Sequence, residues 1–375
     1  MKNNLSYLLR VKWLILLIAP VFLVSCGGDD DPLPLPMPTF TYAPANIVVG
    51  EVVNFTNTSQ NATAYQWNFG NGETSTDENP EVAFDAAGDY TVTLIATGPG
   101  GDEQASMTVT VEEPGFIYID SYDYGLWTVD LTNGNASNMI TLSTFGRGIA
   151  LDTANNVLFY TDEDNGAIYS QDFGGGNETE LAQVVESYSI ALDVTGGKMY
   201  FPDRETSSIY VANLDGSDVQ TLFDAADGFE LPTDVALDLV NNKIYISDVG
   251  LESSGYAADG IWEANLDGSG LNQVIVGGGY SLAVDPEGGM LYFNDTFING
   301  NISMAPLSDF NSISNFATLT ESRCYGIEVF ANRVYWTDLG EDLDDGRIYR
   351  AGLDGGSVEQ LAGGLPEPRH FALYK

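Results

Sequence analysis

A short strand-like run that ends in Asp recurs six times between residues 116 and 338. The strongest copy, residues 334–338, reads Val-Tyr-Trp-Thr-Asp. In four copies this Asp lies ten residues after an earlier apolar run that also ends in Asp, and the pairs are Asp152/Asp162, Asp193/Asp203, Asp238/Asp248 and Asp285/Asp295. Successive pairs are offset by 41, 45 and 47 residues. A period in the forties with several short β-runs per unit is typical of propeller blades.

Composition favours an all-β chain and restricts its partners. Glycine is frequent at 41 residues, the β-branched and aromatic runs are short, and no long segment has helical periodicity. The 13 basic and 54 acidic residues give a net charge of −41, which disfavours nucleic acid and anionic membrane surfaces as partners. This charge suits solubility in an external medium, and the alternative interpretation is that exposed carboxylates collect Ca²⁺.

The N-terminus has the features of a secretion signal. Lys2, Arg10 and Lys12 flank the start of an apolar run over residues 13–24 that is short for a membrane span. The run leads into Leu-Val-Ser-Cys at residues 23–26, which resembles the bacterial lipobox. The resemblance implies a lipoprotein signal peptide over residues 1–25 and acylation of the Cys26 thiol. The other cysteine, Cys324, is expected to be a small buried hydrophobe.

Residues 26–38 are expected to form an acidic, proline-rich tether. Residues 27–31 read Gly-Gly-Asp-Asp-Asp and resemble the export tag of surface lipoproteins in Bacteroidota. That resemblance implies an outer-membrane location on the cell surface, with the lipid anchor as the only membrane contact. Prolines at positions 32, 34, 36 and 38 fix φ at every second residue, which favours an extended, semi-rigid spacer.

Residues 39–113 carry short period-2 runs between turn residues, a pattern that predicts a small β-sandwich. Residues 67–72 read Trp-Asn-Phe-Gly-Asn-Gly, and residues 88–94 read Gly-Asp-Tyr-Thr-Val-Thr-Leu. Both blocks resemble the PKD domain, whose first block usually reads Trp-Asp-Phe-Gly-Asp-Gly. Here Asn68 and Asn71 replace the two Asp residues. The resemblance implies a spacer or docking module without catalysis.

The two ends of residues 115–375 complement each other. Residues 116–120 form an Asp-terminated run with no apolar run ahead of it, and residues 371–374 form a leading run with nothing behind it. Together they supply a sixth repeat. The sequence therefore predicts a six-bladed β-propeller closed by its C-terminal strand, because closure removes the free edges of an open array.

The six copies resemble the YWTD repeat of the low-density-lipoprotein-receptor class B propellers. Residues 334–338 match the motif fully, and the other five copies are degenerate. The resemblance implies binding of protein or peptide partners across one propeller face rather than catalysis. It also implies a structural role for the motif aspartates, which are Asp120, Asp162, Asp203, Asp248, Asp295 and Asp338.

One residue of each repeat is expected to border the mouth of the central channel, two positions before the leading run. These residues are Arg147, Tyr188, Thr233, Tyr280, Tyr325 and Arg369, and the chain's one histidine, His370, follows the last of them. Tyrosine and arginine are enriched at binding hot spots, and they also suit sugars. The alternative is that the tyrosines plug the channel and the arginines pair with nearby aspartates.

Metal binding and catalysis have less sequence support. Asp342, Asp344 and Asp345 offer oxygen ligands for Ca²⁺, but their spacing is not that of an EF-hand, and a solvated loop is the alternative. No catalytic residue is assigned, because the chain has one His, no Gly-x-Ser-x-Gly and no paired cysteines. Asp234 and Glu328 are exceptions at the otherwise apolar strand starts. No cofactor besides Ca²⁺ is considered.

The sequence thus predicts a cell-surface lipoprotein that binds an extracellular or envelope protein, or a glycan, through one propeller face. Two alternatives remain open. One is a Ca²⁺-dependent hydrolase or lyase with its site on the propeller axis. The other is a scaffold subunit of an envelope complex. The sequence does not identify the ligand, since propellers carry unrelated functions on one frame. It does not predict the oligomeric state either.

Overall fold

The computed structural model describes residues 32–120, 125–142, 145–255, 258–294, 301–319, 323–340, 342 and 345–375. The expected signal peptide and Cys26 lie outside these residues. The described chain is all-β apart from two short 3₁₀ helices, Ala225–Asp227 and Glu252–Ser254. Among the described residues, no helix has the length and apolar character needed to cross a membrane.

The N-terminal domain is a sandwich of two sheets, with strand orders β1-β3-β6 and β2-β8-β7-β4-β5. Its core centres on Trp67, which is fully buried and lies 5.6 Å from Phe55, ring centroid to ring centroid. The strands are β1 (Phe40–Ala43), β2 (Ile47–Val48), β3 (Val52–Asn57), β4 (Ala64–Asn68), β5 (Thr74–Ser75), β6 (Glu81–Ala83), β7 (Gly88–Gly98) and β8 (Gly101–Glu112).

The two asparagines in the first sandwich block hold its turn. The Asn68 side chain accepts a hydrogen bond from Gly70 N at 2.9 Å, and the Asn71 side chain accepts one from Glu73 N at 3.0 Å. Asparagine is therefore as able as aspartate to cap this turn. Gly70 has a φ of +81°, and a Cβ there would lie 2.9 Å from Thr91 O, so the turn also requires glycine.

The proline-rich spacer is extended, but its described part is not free of the sandwich. Met37 exchanges two backbone hydrogen bonds with Gln60, at 2.9 and 3.1 Å. The Asn61 side chain donates to Leu35 O at 3.3 Å. The N–H and C=O groups left between the prolines thus find partners on the sandwich. The described part of the spacer therefore lies along the sandwich.

The C-terminal domain consists of six four-stranded antiparallel sheets, which confirms the predicted six-bladed propeller. Blades 1 to 5 use consecutive strands, and the closing blade has the order β32-β9-β10-β11. In each blade the first strand packs against the first strands of its neighbours, and β12 also contacts β32, so the array forms a ring.

The strands of the closing blade are β9 (Gly115–Asp120), β10 (Gly125–Asp130), β11 (Asn135–Thr141) and, last in the chain, β32 (Pro368–Tyr374). Blades 1 and 2 contain β12 (Gly146–Asp152), β13 (Val157–Asp162), β14 (Ala167–Asp172), β15 (Thr179–Gln183), β16 (Ala191–Asp193), β17 (Lys198–Asp203), β18 (Ser208–Asn213) and β19 (Gln220–Phe223). Blades 3 to 5 contain β20 (Pro232–Asp238), β21 (Lys243–Asp248), β22 (Gly260–Asn265), β23 (Asn272–Val276), β24 (Leu282–Asp285), β25 (Met290–Asn294), β26 (Ile302–Pro306), β27 (Ser314–Ala317), β28 (Cys324–Phe330), β29 (Arg333–Asp338), β30 (Gly346–Gly352) and β31 (Glu359–Leu365).

The closing blade joins the two ends of the domain as the sequence predicted. In the antiparallel pairing of β32 with β9, Phe371 lies opposite Tyr118 and Leu373 opposite Phe116. The rings of Phe116 and Phe371 stack with centroids 4.6 Å apart. These side chains belong to one buried cluster, so the ring is closed by apolar packing as well as by backbone hydrogen bonds.

The propeller has two faces that differ in their connections. The loop face carries the connections between second and third strands and between successive blades. The turn face carries the connections between first and second strands, and the sandwich docks there. Asn332 donates to Gly50 O at 3.0 Å, and Arg333 pairs with Asp85 at 2.6 Å. Lys375 pairs with Glu51.

A buried ion pair completes the contact between the domains. The Arg350 guanidinium pairs with both carboxyl oxygens of Glu113, the Nη2–Oε1 distance being 3.2 Å. The two side chains are only 6% and 12% exposed. Glu113 lies between β8 and β9, so this pair fixes the junction that joins the sandwich to the propeller.

Deleting residues 371–375 should open the ring. Burial of Phe371 and Leu373 is lost, and removal of one such large apolar side chain from a core typically costs about 3–5 kcal/mol. We expect a lower urea midpoint for the propeller, followed by its tryptophan fluorescence. Deletion of Lys375 alone is the control, because it removes only a partly exposed ion pair. An unchanged midpoint for the longer deletion would contradict closure by β32.

Arg350→Met should weaken the junction far more than Arg333→Met. The first change leaves Glu113 buried without its countercharge, which typically costs about 3–5 kcal/mol. The second removes an ion pair whose Asp85 side chain is 88% exposed, worth at most about 1 kcal/mol. Calorimetry is the measurement, and separation of the sandwich and propeller transitions is expected for Arg350→Met alone. Equal shifts for both variants would contradict this prediction.

Candidate functional site

Three of the residues predicted at the channel mouth meet on the propeller axis. Tyr188, Tyr280 and Tyr325 are 7–8% exposed and form one apolar cluster with Leu339. The ring centroids of Tyr188 and Tyr280 are 6.2 Å apart, and those of Tyr280 and Tyr325 are 5.0 Å apart, edge to face. The tyrosines therefore pack against one another and cover the channel at the loop face.

Arginines lie over these rings. The guanidinium carbons of Arg147 and Arg204 are each 4.4 Å from the centroid of Tyr188, and that of Arg369 is 4.6 Å from the centroid of Tyr325. At these distances each cation interacts favourably with the negative face of the ring. Arg147 and Arg369 were predicted from the sequence. Arg204 was not, although it directly follows the motif residue Asp203.

Each of the three arginines also pairs with a glutamate. The N–O distances are 2.5 Å for Arg147 and Glu163, 3.2 Å for Arg204 and Glu186, and 3.3 Å for Arg369 and Glu367. These glutamates all lie in connections on the loop face. The mouth therefore presents balanced charges, and the acidic partners are glutamates rather than aspartates.

Two of the mouth tyrosines do not ionise near neutral pH. Burial and a 2.6 Å hydrogen bond to Glu186 raise the pKa of Tyr188 to about 12. Burial also raises the pKa of Tyr280, with Tyr325 as a further cause. Tyr188 and Tyr280 thus remain neutral hydrogen-bond donors at neutral pH. The arrangement suits recognition by charge and shape rather than proton transfer.

Two other predicted mouth residues do not reach the loop face. Thr233 is fully buried, and its hydroxyl lies 2.8 Å from the Ser247 hydroxyl. His370 points away from the mouth cluster and borders the channel below it. Both are therefore parts of the scaffold beneath the mouth.

Small polar residues just before the motif aspartates hold the mouth in place. Ser247 donates to Tyr280 O at 3.4 Å, and Thr337 donates to Arg369 O at 2.8 Å. Asn294 donates to Cys324 O at 3.3 Å, next to Tyr325. In each case the second strand of one blade binds the start of the next blade. This role was not predicted from the sequence, although four of the six repeats have a polar residue at that position, namely Thr161, Ser247, Asn294 and Thr337.

The described motif aspartates accept hydrogen bonds from nearby backbone. Asp203 accepts from Val185 N at 2.8 Å, and Asp248 accepts from Glu230 N at 2.8 Å. Both bonds tie the connection between two blades to a second strand. Asp162 and Asp338 accept from Asn165 N and Gly340 N, at 3.0 and 2.8 Å. Asp295 and the side chain of Asp120 lie outside the described part of the chain.

A cavity of about 320 Å³ runs along the axis beneath the mouth. At one level its wall has alanine on five of the six first strands, namely Ala150, Ala191, Ala236, Ala283 and Ala372, whereas blade 5 has Glu328. Asp234 also borders the cavity and accepts from the Ser281 hydroxyl and Leu282 N, both at 3.0 Å. Asp234 is therefore used in joining blades 3 and 4.

Glu328 and His370 are held in their neutral forms. Burial raises the pKa of Glu328 to about 8, although a hydrogen bond from the Leu373 backbone opposes it. Burial likewise lowers the pKa of His370. Glu328 Oε2 and His370 Nε2 have no hydrogen-bond partner within the described residues. Two uncharged polar groups without protein partners thus border a channel whose wall is mostly aliphatic.

The acidic loop after β29 shows no assembled metal site in its described part. Asp342 is exposed, and Asp345 pairs with Arg347 at 2.5 Å. Asp344 lies outside the described residues. Across the described ranges, no three His, Cys, Asp or Glu side chains are grouped to hold a metal ion. Cys324 is buried and donates weakly to Gly326 O, as expected for a structural thiol.

Glu328→Gln should remove a pH dependence of stability. The pKa of Glu328 is raised from its ordinary value of 4.5 to about 8, so its contribution is fully present below pH 4.5 and is lost as pH rises towards 8. The free energy of unfolding of the native chain should therefore fall over this window relative to the variant, by several kcal/mol in order of magnitude. Urea titrations across this window measure it, with exposed Glu287→Gln as control. Parallel curves for Glu328→Gln and the native chain would overturn the assignment.

Comparisons with known proteins agree with both domains. Residues 35–112 match the PKD domain family. Pre-pro-metalloprotease PrtV from two strains of Vibrio cholerae serotype O1 is 38% identical over 71 residues. That stretch is 18% of this chain and 8% of PrtV, so the chain spans only a small part of that relative.

The solved structures that resemble the chain have low sequence identity. A nidogen/laminin complex matches 70% of this chain and 98% of its own, with 17% identity and a TM-score of 0.58. TolB from Acinetobacter baumannii matches 77% of this chain and 80% of its own, with 11% identity and a TM-score of 0.56. At this identity the likeness shows the fold alone. The chain thus contains a PKD domain followed by a six-bladed β-propeller.

Proposed function

We propose that this protein is a lipid-anchored protein of the cell surface whose propeller binds a protein partner through the loop face. The observation that carries the proposal is the mouth cluster of Tyr188, Tyr280 and Tyr325 with arginines packed over its rings. Tyrosine and arginine are among the residue types most enriched at binding hot spots.

Arginines supply the positive charge at the centre of the loop face. After residue 12 the chain has ten basic residues. Four of them, Arg147, Arg204, Arg323 and Arg369, belong to the starts of first strands or to connections on this face. In a chain with a charge of −41, these residues place cations around the mouth, three of them paired with glutamates.

Apolar side chains on the same face supply contact area around the mouth. Val185, Leu251 and Val276 are 53%, 38% and 84% exposed, and all three lie in or beside loop-face connections. Protein interfaces typically combine apolar contact area with a centre rich in aromatic residues and arginine. Single exposed apolar residues are common, so these valines and leucine support the proposal only together with the mouth cluster.

The geometry favours a protein over a glycan. A sugar ring stacks on a free aromatic face, but guanidinium groups lie over Tyr188 and Tyr325, and Tyr280 packs against both tyrosines. Little ring surface is left for a sugar. The nidogen/laminin complex, which has the same fold, is itself an assembly of two proteins, and this analogy points the same way.

A photo-crosslinker at position 276 should capture the partner on intact cells. We expect one protein adduct when Val276 is replaced by benzoylphenylalanine. The control is the same replacement at Val358, which is 52% exposed and precedes β31 on the turn-face side. Arg147→Gln with Arg204→Gln should weaken the captured complex at least about tenfold in Kd, as expected for hot-spot residues.

Other outcomes of this experiment would favour the alternatives. Equal capture from both positions, or none, would overturn binding through the loop face. An adduct that glycosidases remove and proteases do not would indicate that the partner is a glycan and not a protein. Purification of a stoichiometric complex that is unaffected by the arginine changes would favour a scaffold subunit. Turnover of a substrate that EDTA abolishes would favour the Ca²⁺-dependent enzyme.

A further inference from the structure

The spacer exposes three apolar side chains at alternate positions of the sequence. Leu33, Leu35 and Met37 are 60%, 53% and 58% exposed, whereas Pro36 between the last two is buried. The three exposed side chains lie within five residues of one segment that is held against the sandwich. We call Leu33, Leu35 and Met37 the apolar stripe.

The apolar stripe is held in place by the sandwich. The backbone bonds between Met37 and Gln60 and the bond from Asn61 to Leu35 O anchor its C-terminal half. Its N-terminal half lies against the turn between β7 and β8, where a Cβ on Gly100 would be only 2.5 Å from Leu33 O. The glycine permits this close approach. Because the stripe is already ordered, little conformational entropy opposes its binding to a further surface.

The apolar stripe lies at the end of the sandwich that is remote from the propeller. Strand β7 has 11 residues and spans about 36 Å at about 3.3 Å per residue. Its turn with β8 carries the stripe, while the opposite end of β8 leads to Glu113 and the propeller junction. The two ends of the β7–β8 hairpin thus serve different contacts.

From this placement we propose that the apolar stripe is a second membrane contact, seated in the lipid surface beside the acylated Cys26. The inference rests on the proposed acylation of Cys26. Leu33 lies seven residues after Cys26, a reach of at most about 25 Å. A surface held within that reach is present at high effective concentration. The stripe fits an interfacial depth, where exposed backbone groups still meet water.

Charge near the stripe specifies the kind of lipid. Asp102 and Glu103 are exposed at the start of β8, next to the turn that carries the stripe. They repel anionic headgroups, and the effect weakens with salt. The partner surface is therefore zwitterionic lipid, such as phosphatidylcholine or phosphatidylethanolamine.

A fluorescent label can test the contact in the acylated full chain. An environment-sensitive dye on Leu35→Cys should lose most of its emission in phosphatidylcholine vesicles that contain brominated lipid. The same dye on Val276→Cys, on the loop face, should keep its emission. Cys324 is buried, so it does not take up the dye. Added phosphatidylglycerol should reduce the quenching at position 35 at low salt.

Several results would overturn the inference, and they are distinguishable from failure of the anchor. Equal emission at positions 35 and 276, in a chain shown by mass to carry its acyl groups, would contradict the second membrane contact but not the anchor. Absence of acyl groups on Cys26 would instead contradict the proposed anchor. A concentration-dependent blue shift at position 35 without vesicles would show that a second copy covers the stripe.

A serine variant tests whether the apolar side chains themselves help to hold the chain on the membrane, which the position of a label does not show. Leu33→Ser, Leu35→Ser and Met37→Ser together should leave the sandwich folded, because these side chains are mostly exposed. The acylated variant should transfer between vesicles at least about tenfold faster than the native chain, since less apolar surface is withdrawn from water. The control replaces exposed Val219 and Val358 by serine. An unchanged transfer rate would overturn the inference.

Discussion

The pairing of the last strand with the first strand of the propeller is the constraint on which the rest depends. β32 lies beside β9, and the stacked rings of Phe116 and Phe371 make that joint part of the core. Only a closed ring brings six first strands to one axis. The mouth combines Arg147 with Arg369, which are far apart in sequence and lie at successive blade starts. Opening the ring would therefore remove the site as well as a sheet contact.

The sequence predicted the blades because their information is local. Each repeat carries its own alternation, turn residues and final Asp, and the phase of those repeats brings Tyr188, Tyr280 and Tyr325 to equivalent positions. It left open whether these rings would plug the channel or face a ligand, because side-chain direction depends on neighbours from other blades. Arg204 was missed for the same reason, since its role depends on Tyr188 being across a loop. The attachment of the spacer was not predicted, because it depends on partners at residues 60, 61 and 100.

The molecule separates its contacts along one direction. The sandwich meets the propeller at the turn face, through Gly50, Asp85 and Glu113. The tyrosine and arginine cluster lies at the loop face, on the other side of the ring. The described part of the spacer lies at the opposite end of the sandwich. With the buried pair of Arg350 and Glu113 at the junction, a tether at the spacer holds the mouth directed away from whatever the tether is fixed to.

Closure by the final strand also sets an order of events during folding. The sandwich is complete at residue 112, so it can fold while the propeller is still being made or exported. Strand β9 emerges next, but it lacks its inner neighbour until residues 368–374 arrive. For most of that interval the closing blade has an unpaired edge at β9, which can pair with strands of other chains. Negative charge accumulates along the chain over the same interval, and mutual repulsion between chains protects the edge until the ring closes.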